Sequence, residues 1–199
     1  FLAASGARAL LMPRIRPISE GDEDLTLLSG LAGLTTLGSG TLDLPPAVSP
    51  LERTLTLMQL VQRWREAKAK SDPDEAGAAS NTPAQAAALA AELAALMDLV
   101  ETENVSLSNL KGLVPEEFAT HWQKTIEFLE IVTDAWPLIL AEKGFTSQAG
   151  RRNALILAEA ERITILPPGA PVIIAGVTGS IPATVTLMRA VAALPNGAI

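Results

Sequence analysis

The chain has 199 residues, 48% of them apolar and 19% charged, with a net charge of −7. That is enough for one large domain or two small ones and enough apolar surface to bury a core; the acidic balance argues against a basic nucleic-acid coat while leaving room for a local basic strip. There is no cysteine and one histidine, His121, which excludes disulfides, thiolate metal sites, cysteine nucleophiles and any multi-histidine metal centre.

In chain order, Ala9-Leu10-Leu11-Met12 is a short apolar run stopped by Pro13, and it reads as a strand. Arg14 to Ile18 continues extended, because a residue before proline avoids the helical region. Ser19 to Asp24 reads as an acidic turn and Ser29 to Pro50 as a long loop rich in Gly, Thr and Pro. From Pro50 the period becomes helical, with Ser49 as cap and a stripe of Leu51, Leu55, Met58, Val61 and Trp64. Lys68 to Asn81 reads as a flexible connection. Thr82-Pro83 opens a second helix, with Leu89, Leu93, Leu96 or Met97, and Val100 facing inward.

A longer helix starts at Pro115-Glu116-Glu117, with Phe118, Trp122, Ile126, Leu129, Thr133, Trp136 and Leu140 on one face. Pro137 should kink it, and Gly144 should end it. Thr146 or Ser147 begins another helix through Arg162. After Pro167-Pro168-Gly169 comes a strand, Val172 to Ala175, a turn at Gly176 to Ser180, a helix from Pro182 to Ala193 and a new apolar run after Pro195-Asn196-Gly197. The organisation predicted is an α/β fold, mostly α by content. A partial RecA-like (P-loop NTPase-like) parallel sheet comes from residues 1–49 and 166–199, with an all-helical inserted subdomain at 50–165. Phe1 falls in what reads as the end of a helix and Ile199 in a starting strand, so both ends read as cuts from a longer chain. No basic-then-apolar leader opens the chain and no charge-free run reaches membrane-spanning length, so the expectation is a cytoplasmic protein with no membrane partner.

Strand, glycine turn and helix is the arrangement in which α/β proteins bind phosphate. A Walker A loop also needs a lysine for the β- and γ-phosphates, and Gly176-Val177-Thr178-Gly179-Ser180 has none. A dinucleotide fingerprint needs a third glycine and a later acid, also lacking. No Asp or Glu occurs from Arg162 to Ile199, so no magnesium–triphosphate chemistry can be built there. The plainer reading is a structural strand-to-helix turn; the functional one is a set of backbone amides and hydroxyls on Gly176, Thr178, Gly179 and Ser180 that hold a DNA phosphate. Arg14 and Arg16, at strand spacing, point the same way and suit successive phosphates, against the plainer reading of a solvated edge paired with Glu20 or Asp22. Arg63, Arg65, Lys68 and Lys70, like Arg151 and Arg152, read as solvated helix ends. His121 has no paired serine and acid and reads as a packing group. The three tryptophans read as core. No catalytic set and no cofactor site emerges.

Several stretches taken together resemble one family. These are Leu11-Met12-Pro13-Arg14-Ile15-Arg16-Pro17-Ile18, Leu44-Pro45-Pro46-Ala47-Val48-Ser49-Pro50-Leu51, Val114-Pro115-Glu116-Glu117-Phe118 and His121-Trp122-Gln123-Lys124-Thr125. Ile131-Val132-Thr133, Ala175-Gly176-Val177-Thr178-Gly179-Ser180-Ile181-Pro182-Ala183-Thr184 and Leu194-Pro195-Asn196-Gly197-Ala198 complete the series. In this order they resemble the N-terminal helicase-like region of the AddB family, alphaproteobacterial type. The resemblance implies a non-hydrolysing subunit of a double-strand-break repair helicase–nuclease. It would handle single-stranded DNA during recombination beside an AddA-type partner, with its nuclease domain outside this chain. It also implies that Val172 to Ala175 stands where active helicases carry metal-binding acids; here the position is Ala175-Gly176. A helical protein–protein interaction module without DNA binding is the alternative.

Overall fold

The computed structural model describes Ile15, Pro17, Ile18 and residues 44–71, 82–105, 125, 128, 129 and 131–199. Its elements are α1 (Pro50–Ser71), α2 (Pro83–Thr102), a π-helical turn (Ile131–Ala135), α3 (Trp136–Lys143), α4 (Gln148–Ile165), β1 (Val172–Ile173), α5 (Pro182–Ala192) and β2 (Gly197–Ala198). Helix dominates, and the two short strands form one parallel pair, Val172 opposite Gly197 and Ile173 opposite Ala198. The strand expected at Ala9 to Met12, the helix start at Pro115, His121 and Trp122 lie outside the described residues.

Local chemistry sets the helix ends. The Ser49 hydroxyl accepts from Glu52 N at 3.2 Å. Thr82 and Gln85 form a reciprocal capping box with Pro83 at the first turn. Gly144 closes α3 in the left-handed region at φ +67°, which costs a glycine nothing. Ser147 caps α4 by accepting from Gly150 N at 2.9 Å, and the same hydroxyl donates to Glu101 at the end of α2. Ser147→Ala removes both the cap and an interhelical bond, so a loss of about 1–2 kcal/mol in chemical denaturation is expected.

The main core joins α1, α2, the π turn and α3. Leu57, Val61, Ala86, Ala90, Leu93, Met97, Ile131, Trp136 and Leu140 are its buried side chains, and Val48 enters from the loop before α1. Trp64 meets Phe128 edge-to-face at 5.0 Å. Of the stripe expected on α1, Val61 is buried and Met58 and Trp64 pack against the core as expected, but Leu51 and Leu55 are exposed, and Arg53 and Leu57 are buried in their place. Arg53 is held inward by an ion pair. Arg53, 6% exposed, donates through Nη1 to both Asp98 oxygens at 2.9 Å and through Nη2 to the Ala94 carbonyl at 2.9 Å. An arginine counted as polar hides the face on which it is satisfied. On α2, Leu93 and Met97 are buried as expected and Leu89 is partly buried against them, and Ala86 and Ala90 are buried beside them.

The π turn ends two residues before Pro137. Proline removes an N–H and its ring crowds the carbonyl four residues back, at Thr133, and a widened turn absorbs that conflict. This replaces the simple kink expected. Arg151 and Arg152 are ties rather than solvated cations: Arg151 Nη1 donates to the carbonyls of Leu44 (2.9 Å) and Pro45 (2.7 Å), and Arg152 Nη2 to Thr102 Oγ1 (2.9 Å). With the Ala47–Thr146 bridge, Arg151 fastens the loop before α1 to the start of α4, while Arg152 ties α4 to the end of α2.

α2 is long and apolar enough to cross a membrane, with a mean hydropathy of 1.3. Here its small and apolar side chains pack on α1 and its Asp98 neutralises a buried arginine.

Candidate phosphate-contact loop

A second, smaller core forms where α4 and α5 meet the strands. Ile163, Ile174, Val191 and Leu194 are buried there, with Ile18, Val172, Val177, Leu187 and Met188 packed around them. Ile18 therefore brings the end of the N-terminal segment onto the strand–helix–strand unit. Val172 N donates to Asn196 O at 3.2 Å and Ile174 N to Ala198 O at 2.9 Å, so the ladder spans Val172 to Ile174. It stops short of the expected Ala175, because Gly176 takes φ +72° and turns the chain out of the strand.

The loop after β1 has two left-handed glycines. At Gly176 an added Cβ would meet open space; at Gly179 (φ +68°) it would touch Met188 and Val185 of α5. Gly176 thus serves the turn, and Gly179 also allows the loop to lie against α5. Gly176, Thr178 and Ser180 are exposed and Gly179 is half-buried. The Thr178 and Ser180 hydroxyls sit 3.4 Å apart, facing solvent as a pair. α5 begins at Pro182 with no side chain capping it, so its positive end is uncompensated by a cap. Pro182 supplies no N–H, and Ala183 and Thr184 are buried. Among the described residues, the Thr178 and Ser180 hydroxyls are exposed donors on this loop.

Charge is sparse in the sequence that carries the loop. Arg162 and Arg189 are the only charged side chains from position 162 onward. Arg162 is committed to Glu159 in a two-pronged pair at 2.7 Å, and those hydrogen bonds raise its pKa further against the opposing effect of burial. Arg189 is exposed near the end of α5. Of the residues expected to contact DNA, Gly176, Thr178, Gly179 and Ser180 form one continuous loop, while Arg14 and Arg16 lie outside the described residues.

A separate groove of about 710 Å³ opens between α2, α3 and α4, lined among others by Met97, Glu101, Asp134, Trp136, Asn153 and Leu157. It shares no described lining residue with the loop. Nothing in the sequence marked it, since its wall is assembled from three helices. Among the described residues no three His, Asp or Glu side chains converge as a metal set would. No family model matches this chain, and neither a curated protein nor a solved structure does.

Proposed function

We propose that the chain is a helicase-like scaffold that touches single-stranded DNA through its phosphates and does not hydrolyse nucleotide. In this reading the strand–helix–strand unit belongs to a partial RecA-like sheet, and residues 50–165 are a helical block inserted into it. The chain would serve a double-strand-break repair complex beside an AddA-type helicase–nuclease, as the resemblance to the AddB family implies. The observation that carries the reading is the loop itself: a parallel strand, a turn with two left-handed glycines, a solvent-facing hydroxyl pair and an uncapped helix start. Such a turn can accept an anion. Without a lysine in the loop or an acid from Arg162 onward it cannot run magnesium–triphosphate chemistry.

The test is fluorescence anisotropy of the full subunit with labelled oligo(dT) over a salt series. Arg14→Ala with Arg16→Ala removes two phosphate contacts, so the slope of log K against log salt should become shallower by about 1.4. An unchanged affinity and slope would remove both arginines from the interface.

Exposed leucines favour a second reading. Leu51 and Leu138 are each 70% exposed on the helical block, and the net charge is −7. A protein partner on that block, with no DNA binding at any salt concentration, is the outcome expected of an interaction module.

A further inference from the structure

We draw no further inference here: the strongest candidate, the groove between α2, α3 and α4 lined by Trp136 and Asn153, carries nothing because nothing in the structure shows what covers its apolar wall.

Discussion

Asp98→Ala should destabilise the helical block by about 3 kcal/mol, whereas Arg53→Met should cost about 1 kcal/mol or less. The two substitutions break the same ion pair, and the asymmetry follows from where its ends lie. The Arg53 side chain is 7% exposed and that of Asp98 46%. Removing the aspartate strands a buried guanidinium with the Ala94 carbonyl as its main remaining acceptor. Removing the arginine leaves a carboxylate that water can reach, and methionine refills the space with apolar atoms. For a chain of this length the aspartate variant should melt about 6–12 °C lower. Equal losses would mean that the pair is hydrated on both sides and does not hold Arg53 inward.

Gly197→Ala should cost about 3 kcal/mol, localised to the strand–helix–strand unit. A Cβ there would lie 1.9 Å from the Val191 carbonyl oxygen and 2.9 Å from its carbon. Those are backbone atoms of α5, so no side-chain rotation relieves the overlap. β2 would have to move off the helix, and the bonds from Val172 N and Ile174 N would go with it. Hydrogen exchange should show those two amides losing protection while α1 and α2 keep theirs. Gly169 gives the control: an added Cβ meets nothing within 4 Å, so Gly169→Ala should leave exchange unchanged.

What was legible in the sequence follows from range. Caps and stops are written within a few residues, and Ser49, Thr82-Pro83, Gly144, Ser147 and Pro182 all mark ends that the structure shares. The turn at Gly176 was legible for the same reason. The inward place of Arg53 on α1 was not, because its partner is Asp98, 45 positions away, whereas Met58, Val61 and Trp64 were. Arg151 and Arg152 read as solvated because their acceptors are carbonyls and a hydroxyl from distant segments, which carry no sequence signature. The need for glycine at position 197 arises from the backbone of α5 passing close by, a contact that no local pattern announces. The loop was therefore identified by its own residues, whereas its surroundings depended on long-range packing.

The proposed function requires the Gly176–Ser180 loop to meet the DNA backbone. The most direct measurement is an amide NMR titration of this chain with oligo(dT), repeated at higher salt. Shifts concentrated at Gly176, Thr178, Gly179 and Ser180 that shrink as salt is raised are expected. Shifts confined to α1 and α2, or none at low salt, would contradict the proposal.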